Sequence, residues 1–175
     1  MAADLDKVSI LARREIEARL AGPLMEALTR ELGPQRAREV LGEVVCSLAR
    51  QAGQELAQQL GGNSLVNLAQ ALDLWTQEDA LDILILSQSE RELCYDVRRC
   101  RYAEMYRELG LAELGLLLSC QRDFAFIEGF NPQVALTRGG TIMEGQAYCD
   151  FRYRLRDHDE PQPEEPGQAG EDGHA

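Results

Sequence analysis

Apolar side chains recur about every four residues through the first third of the chain, which is the spacing of one face of an α-helix. The first series consists of Ile16, Leu20, Leu24, Leu28 and Leu32. Gly22 and Pro23 interrupt this series, so we expect a kink there or two shorter helices. Gly33 and Pro34 then end the segment and open the next one.

A second series continues for roughly seven helical turns and predicts a long helix. Its members are Ala37, Leu41, Val44, Leu48, Ala52, Leu56 and Leu60. Gly61 and Gly62 stop this helix, and Ser64 is suited to cap a third one. The apolar positions of that third helix are Leu65, Leu68, Leu72 and Trp75.

After residue 80 the apolar positions follow a different period. Residues 81–86 form a short apolar run typical of a buried strand, and residues 93–101 alternate between two faces. One face carries Leu93, Tyr95 and Val97, and the other carries Cys94, Asp96, Arg98 and Cys100. Residues 134–138 and 147–155 predict two more strands, whereas residues 102–109 and 112–128 predict helices.

These elements together predict an α+β fold, with N-terminal helices packed on a C-terminal antiparallel sheet that has helices inserted between its strands. We expect one domain over residues 1–156. From Asp157 onward the chain is rich in Pro, Gly, Gln, Glu and Asp, with seven acidic residues and no Lys or Arg. Such a segment buries too little apolar area to offset its ordering entropy, so residues 157–175 are predicted to be a disordered tail.

Charge and composition narrow the class of protein. The net charge of the whole chain is −12. Residues 1–156 contain 23 acidic and 18 basic residues, which gives this part a net charge of −5. The sequence therefore predicts no basic face that could bind nucleic acid. No apolar run approaches the roughly 20 residues of a membrane span, and Asp4 and Asp6 do not fit a signal peptide. The five cysteines are widely spaced without a CxxC pair, so we expect reduced thiols in a cytoplasmic protein.

Both histidines, His158 and His174, lie in the predicted tail. The folded part therefore lacks the histidine that Ser-His-Asp and Cys-His catalysis or a His-rich metal site requires. The sequence also contains no P-loop and no GxGxxG motif that opens a helix. The chemistry that remains to the fold is that of cysteine, carboxylate, arginine and tyrosine.

Cys100 is a candidate nucleophile, because Arg98, Arg99 and Arg101 surround it in the sequence. Neighbouring cations lower the pKa of a thiol and raise its thiolate fraction. The alternative is a structural cysteine beside surface arginines.

Cys120 and Asp123 are three residues apart on a predicted helix and so share a face. The pair could act as nucleophile and general base, or as two ligands of a metal. Apolar neighbours such as Phe124 and Phe126 could raise the pKa of Asp123 into the range of a general acid or base. A solvated helix carboxylate is the alternative.

In the last predicted strand, alternation puts Cys149 on the apolar side and Asp150 on the other side, together with Arg152. Arg138 and Arg152 are candidates for holding a substrate carboxylate, because a guanidinium matches its two-pronged geometry. The alternative for each is an ordinary surface arginine.

Seven segments of the second half resemble, in order and spacing, the family of L-2-aminothiazoline-4-carboxylate hydrolases. They occupy residues 97–106, 110–115, 119–123, 129–132, 136–138, 141–145 and 149–153, and the similar part spans residues 75–155. The resemblance implies hydrolysis of a non-peptide C–N bond that opens a small cyclic amidine or imide bearing a carboxylate. Members of the family often carry a histidine directly before the Cys-Asp-Phe-Arg run, where this chain has Tyr148.

The resemblance also implies which positions form the site. Catalytic roles fall to Cys100, Cys120, Asp123 and Cys149, and substrate binding falls to Tyr102, Asn131, Arg138, Asp150 and Arg152. Either the Cys100 thiolate attacks the ring carbon, or a divalent metal held by Cys100, Cys120, Asp123 and Cys149 activates water. No other cofactor is expected.

Two other hypotheses remain open at this point. One is a non-catalytic module that binds or senses a small ligand and uses its cysteines structurally. The other is that the site is vestigial and the N-terminal helices form a homo-oligomer or contact a partner protein. The hydrolase and the binding module each take a small molecule as partner, and the third hypothesis takes a protein chain. None of them involves nucleic acid or a membrane.

Overall fold

The computed structural model describes residues 8–156, so the predicted acidic tail lies outside the described residues. The helices are α1 (Ile10–Leu32), α2 (Pro34–Gln59), α3 (Leu65–Ala71), α4 (Asp73–Thr76), α5 (Arg101–Glu108), α6 (Ala112–Gly115) and α7 (Arg122–Phe130). The strands are β1 (Leu81–Gln88), β2 (Glu92–Cys100), β3 (Val134–Thr137) and β4 (Cys149–Leu155). Within residues 8–156 no helix is both long enough and apolar enough to span a bilayer.

The α1 helix runs unbroken through Pro23, so the expectation of two shorter helices is wrong. Its start is fixed by Ser9, whose hydroxyl accepts a hydrogen bond from the Ala12 backbone N–H at 3.2 Å. Pro23 lies on an exposed side of the helix. There the carbonyl that loses its amide partner to the proline can bond to water, which makes an interior proline tolerable.

The four strands form one antiparallel sheet in the order β1-β2-β4-β3, which confirms the predicted α+β class. One face of this sheet is covered by α2, α3 and α7. The buried residues of this main core include Leu56, Leu65, Leu68, Leu93, Tyr95, Val97, Ile127, Phe130, Val134, Leu136, Cys149 and Tyr153. The predicted alternation of Leu93, Tyr95 and Val97 toward the core is confirmed.

A β-bulge interrupts the pairing of β1 with β2. Asp82 pairs with Arg99 and Ile83 pairs with Val97, so Arg98 is an extra residue without an opposite partner. A bulge of this kind shifts the alternation of the strand by one position. Cys100, which lies opposite Leu81, is therefore on the same face as Val97 rather than with Arg98.

The helix predicted over residues 112–128 is interrupted by a wider turn. After α6, residues Leu116–Cys120 form a π-helical stretch, and α7 begins at Arg122. A π-helical turn accommodates one more residue than an α-helical turn and is frequent at functional sites. Ser119 and Cys120 lie at its end, one turn before Asp123 on the following helix.

The helices α2 and α7 touch along their backbones at two glycines. A Cβ atom on Gly53 would lie 2.2 Å from the Phe126 carbonyl oxygen, and one on Gly129 would lie 2.0 Å from the Arg50 carbonyl oxygen. Only glycine allows this approach, which holds α7 against the rest of the fold.

Candidate functional site

A cavity of about 590 Å³ opens between the covered face of the sheet and the helices around it. The strands β2 and β4 form its floor, while α1, α2 and α7 contribute to its walls. Six residues proposed from the sequence line it, namely Cys100, Tyr102, Cys120, Asp123, Arg138 and Cys149. Three thiols from three different elements thus converge in one site.

Asp123 and Arg138 form an ion pair inside this cavity. Arg138 Nη1 donates to Asp123 Oδ2 at 2.6 Å, and Nη2 donates to the Cys120 carbonyl oxygen at 2.8 Å. The guanidinium lies 5.2 Å from the ring centre of Phe124 and 5.0 Å from that of Phe151, so two aromatic faces enclose it. Only 6% of the Arg138 side chain is accessible, against 31% for Asp123, which faces the cavity.

Burial raises the pKa of the Asp123 carboxyl above its usual range, although the charge and the hydrogen bond of Arg138 act in the opposite direction. The charges of Arg122 and Arg14 also oppose the rise. A carboxyl with a raised pKa that still holds a cationic partner is suited to accept and return a proton.

Cys100 lies at the junction of β2 and α5, where its sulfur accepts a hydrogen bond from the Ala103 backbone N–H at 3.4 Å and caps the helix. Burial raises the pKa of this thiol to about 11, with the bond from Ala103 opposing the shift. The expectation that neighbouring arginines lower its pKa is wrong. Arg99 instead pairs with Glu104 at 2.9 Å, and Arg101 donates to the Glu78 carbonyl.

The other two thiols of the site also have raised pKa values. Burial raises the pKa of Cys120 to about 12, and the nearby Asp123 charge adds to the rise. Burial likewise raises the pKa of Cys149, whose sulfur accepts a hydrogen bond from the Ile142 backbone N–H at 3.2 Å.

A second group of charges in the cavity was missed by the sequence analysis. Arg14 Nη1 contacts both carboxylate oxygens of Glu17, at 2.7 Å and 2.5 Å, whereas Arg122 reaches Glu17 only at 3.7 Å. Among residues 8–156, the Arg122 side chain makes no hydrogen bond. Burial is the first of the causes that lower its pKa. Arg122 therefore lines the site as a cation whose N–H donors are not engaged in a hydrogen bond within the described residues.

The Tyr106 hydroxyl adds a polar atom close to these charges. It is completely buried and has no hydrogen-bond partner within the described part of the chain. The charges of Arg14, Glu17 and Arg122 all act on it. Buried hydroxyls are normally paired, so an unpaired one marks a position for a polar ligand atom or water.

Arg122 could have been found by its spacing, because Ser119 and Arg122 are three residues apart, as are Cys120 and Asp123.

The remaining lining is mainly apolar. Leu56, Leu68, Leu72, Trp75 and Phe126 contribute to it, and all five also belong to or pack on the main core. The indole of Trp75 meets the Phe126 ring edge-on at 5.4 Å between centroids. No pattern in the sequence separated these cavity residues from ordinary core residues.

Three proposed substrate-binding residues, Asn131, Asp150 and Arg152, lie outside the cavity lining. The Asn131 side chain donates to the Asn63 carbonyl at 2.9 Å and accepts from the Gln133 backbone N–H, which fixes a turn. Asp150 accepts from the backbone N–H groups of Gly139 and Gly140.

Arg152, the third of these residues, pairs with Asp96 at 2.7 Å on the opposite face of the sheet. Alternation along β4 explains this placement, because Cys149 and Phe151 point into the cavity. Tyr148 is exposed and also lies outside the lining, so its difference from the family pattern does not alter the cavity.

Within residues 8–156, no group of three or more His, Cys, Asp and Glu side chains is arranged to hold a metal ion. Cys100, Cys120, Asp123 and Cys149 therefore share a cavity without forming a ligand set in this structure.

Comparison with known proteins supplies independent information. Residues 13–153 match a family model described as L-2-amino-thiazoline-4-carboxylic acid hydrolase, which extends the similarity from the second half into the N-terminal helices. No curated protein matches the chain.

Two solved structures are similar in fold. One is a trafficking protein particle complex subunit 3 from Naegleria fowleri covalently bound to palmitic acid, with a TM-score of 0.51, 11% identity and coverage of 83% of this chain and 96% of that chain. The other is the phenol-responsive sensory domain of the transcription activator PoxR with phenol, with a TM-score of 0.49, 14% identity and coverage of 78% and 73%. At such identities the similarity concerns the fold alone.

Proposed function

The chain belongs to the L-2-amino-thiazoline-4-carboxylic acid hydrolase family, and on this basis we propose that it hydrolyses a C–N bond in a small cyclic amidine that bears a carboxylate. The observation that carries the proposal is the arrangement at one end of the cavity. There a carboxyl with a raised pKa, Asp123, lies beside Arg122, a cation with spare donors. Hydrolysis of a carboxylated ring needs both a proton carrier and an anion-binding group.

Asp123 is the group we assign to proton transfer. Its carboxylate takes a proton from water as the water oxygen bonds to the amidine carbon of the ring. That proton passes to the ring nitrogen, which gives a tetrahedral carbon bearing the new hydroxyl. The hydroxyl proton then follows through Asp123 to the same nitrogen as the C–N bond breaks and the carbonyl forms, which opens the ring and returns Asp123 to its starting form. Arg138 holds the Asp123 carboxylate in position through the 2.6 Å hydrogen bond, and the step requires no cofactor.

Arg122 is the group we assign to the substrate carboxylate. Its guanidinium lines the cavity with only a distant partner in Glu17, at 3.7 Å. A carboxylate would engage the planar fork of donors.

The direct test is to incubate the purified full-length protein with L-2-aminothiazoline-4-carboxylate and follow the products. Cleavage of the C–N bond releases an amine without a free thiol, whereas cleavage at sulfur releases a thiol that a colorimetric thiol reagent detects. Amine release that follows enzyme concentration supports the proposal. Thiol release corrects the bond that breaks, and an unchanged substrate contradicts hydrolysis of this ring.

We predict that Cys100→Ser leaves turnover within a few-fold of the wild type, because a thiol with a pKa of about 11 has little of the thiolate form that a nucleophile needs. Serine also caps helices well, so the melting temperature should not fall. Cys100→Ala is the matched variant, and loss of its cap should cost about 0.5–2 kcal/mol of stability while turnover persists. A drop in turnover of several orders of magnitude in both variants would restore Cys100 as the nucleophile.

We predict that Arg122→Gln raises KM for the carboxylated substrate about 10–100-fold, with a smaller effect on kcat, because a charge-assisted hydrogen bond contributes roughly 1.5–3 kcal/mol. The neutral amide analogue of the substrate should give the same KM with the wild type and with Arg122→Gln. Arg50→Gln is the control, since Arg50 pairs with Glu128 at 2.9 Å outside the cavity lining. An equal KM for the carboxylate in Arg122→Gln would remove Arg122 from substrate binding.

A second candidate function is a non-catalytic module that binds a small ligand. The observation that favours it is the structural use of two thiols, since Cys100 caps α5 and Cys149 accepts a bond from the Ile142 backbone. A fold shared with a protein covalently bound to palmitic acid is consistent with a ligand-holding role. Saturable binding of the carboxylated ring with no product after prolonged incubation would favour this candidate over the hydrolase.

A further inference from the structure

The cavity is larger than the head group that its charged end would hold. A five-membered ring with one amino group and one carboxylate is far smaller than a drug-sized ligand, whereas cavities of about 300–1,000 Å³ hold ligands of that size. At about 590 Å³, this cavity has room for a substituent beyond the ring.

The spare room is lined by apolar side chains. Leu56 belongs to α2, Leu68 belongs to α3, and Leu72 directly follows α3. Trp75 and Phe126 form an edge-on aromatic pair. Trp75, Phe126 and Leu72 keep part of their surface accessible although they pack on the main core. Apolar surface left open inside a cavity gains free energy when an apolar ligand covers it.

The charged end and the apolar wall are close together. Asp123 and Phe126 are three residues apart on α7, so they lie on one face and about 5–6 Å separates their Cβ atoms. A ring held at Asp123 and Arg122 therefore has the apolar wall within reach of a substituent attached directly to it.

Building on the proposed function, we propose that the natural substrate is amphipathic: a carboxylated cyclic amidine that carries an apolar alkyl or aryl substituent. The ring and its carboxylate occupy the end with Asp123 and Arg122. The substituent lies against Trp75, Phe126 and Leu72. Selectivity in this protein then resides in the apolar wall rather than in the residues of the ring-opening step.

The experiment uses the chain's single tryptophan, Trp75, as a fluorescent reporter of the apolar wall. Binding of L-2-aminothiazoline-4-carboxylate, its 5-phenyl derivative and 3-phenylpropanoate is measured by Trp75 emission and by calorimetry, with hydrolysis followed separately. We expect the 5-phenyl compound to bind about 10–100-fold more tightly than the parent ring and to shift Trp75 emission. The ringless 3-phenylpropanoate should bind without reaction, so binding stays measurable if hydrolysis fails.

A pocket-filling variant tests the location. Ala52 lines the cavity on α2, and Ala52→Phe should abolish the gain from the phenyl group while the parent ring still binds. Gln54→Phe adds the same ring to an exposed position of α2 and should change nothing. Equal affinity of the parent and the 5-phenyl compound for the wild type would overturn the proposal, whether or not the protein hydrolyses the ring.

A second inference rests on a different observation, an apolar stripe on the outer side of α1. Ile16, Leu20 and Leu24 are 66%, 73% and 45% exposed, whereas Ala18 and Ala21 on the opposite side of the helix are buried. Three large apolar side chains on one exposed helix face mark an interaction surface. The predicted stripe exists, but it faces away from the core.

The charges beside the stripe suit a second copy of the same helix. In an antiparallel pair that sets Leu20 against Pro23 of the other copy, Arg19 and the Glu26 of the other copy lie on the same flank of the seam, two residues from direct register, on both sides of the symmetry axis. Such opposite-charge pairs select partner and orientation in paired helices. We propose that α1 forms a two-fold symmetric homodimer through this stripe.

Sedimentation equilibrium of the full chain tests the dimer. Leu20→Glu should weaken dimerisation at least tenfold, while Leu86→Glu, which replaces an exposed leucine on β1, should have no effect. Arg19→Glu should also weaken the dimer, and the double variant Arg19→Glu, Glu26→Arg should restore it. A monomeric wild type, or a dimer unaffected by Leu20→Glu, would overturn the proposal.

Discussion

Asp123→Asn should lower kcat for ring opening by about 10²–10⁴-fold, the usual contribution of a positioned general acid–base group. The amide cannot take the proton of the attacking water, yet its oxygen can still accept the hydrogen bond that Arg138 donates to Asp123 at 2.6 Å. Substrate affinity should change much less than kcat, because Arg122 remains in place to hold the carboxylate. Steady-state kinetics give both quantities.

The pH profile gives this prediction a second readout. Because burial raises the pKa of Asp123, the base form is lost as pH falls through a value above the usual 3.8, and kcat should fall with it. In Asp123→Asn this acid limb should be absent from the residual activity. Wild-type turnover in that variant would remove Asp123 from the mechanism.

Asp96→Asn is the matched control for the loss of an ion pair. Asp96 pairs with Arg152 at 2.7 Å, the same kind of contact as that between Asp123 and Arg138, but on the face of the sheet away from the cavity. Its kcat and pH profile should match the wild type. If both aspartate variants lose activity together, the cause is the fold and not proton transfer, and their melting temperatures would show it.

Gly129→Ala should destabilise the protein by about 3 kcal/mol or more, at or above the upper end of the usual range for overpacking. The new methyl group would sit 2.0 Å from the Arg50 carbonyl oxygen, and backbone atoms cannot rotate away as a side chain can. The helices α2 and α7 must then separate. Thermal unfolding should show a melting temperature lower by roughly 6–12 °C for a chain of this size.

Gly42→Ala serves as the control because it lies in the same helix, α2, as Gly53 and Arg50. Its new Cβ atom would meet only the end of the flexible Leu117 side chain, at 3.3 Å. Alanine is the better helix former by about 1 kcal/mol, so this variant should be neutral or more stable. Equal melting temperatures for Gly42→Ala and Gly129→Ala would show that α7 does not depend on the close contact.

Local periodicity located several elements of this fold because a helix or strand that buries one face repeats its apolar residues with its own period, although the α1 series lies on an exposed face. The spacing of apolar residues located α2, and the alternation of Leu93, Tyr95 and Val97 located β2 and its inner face. For the same reason the spacing of Cys120 and Asp123 placed both in one cavity. Periodicity says which residues share a face, and Cys120 and Asp123 share one although the π-helical stretch Leu116–Cys120 precedes α7.

The rest depended on interactions between distant parts of the chain. The pKa of Cys100 follows from burial and not from its sequence neighbours, since the charged ends of Arg99 and Arg101 turn to Glu104 and to the Glu78 carbonyl. Arg14 and Arg122 meet at Glu17 only after α1 packs against the π-helical stretch that precedes α7. Nothing in a short window of sequence reveals such a meeting.

The extra residue at Arg98 has a consequence for the comparison of relatives. A relative that lacks one residue between Val97 and Cys100 would lose the bulge, and its cysteine would stand two positions after Val97, so the thiol would still face the cavity. The bulge therefore allows the strand to differ by one residue in length here while the chemistry of this corner of the cavity is kept. Homologues should be aligned here by strand pairing and not by residue identity alone.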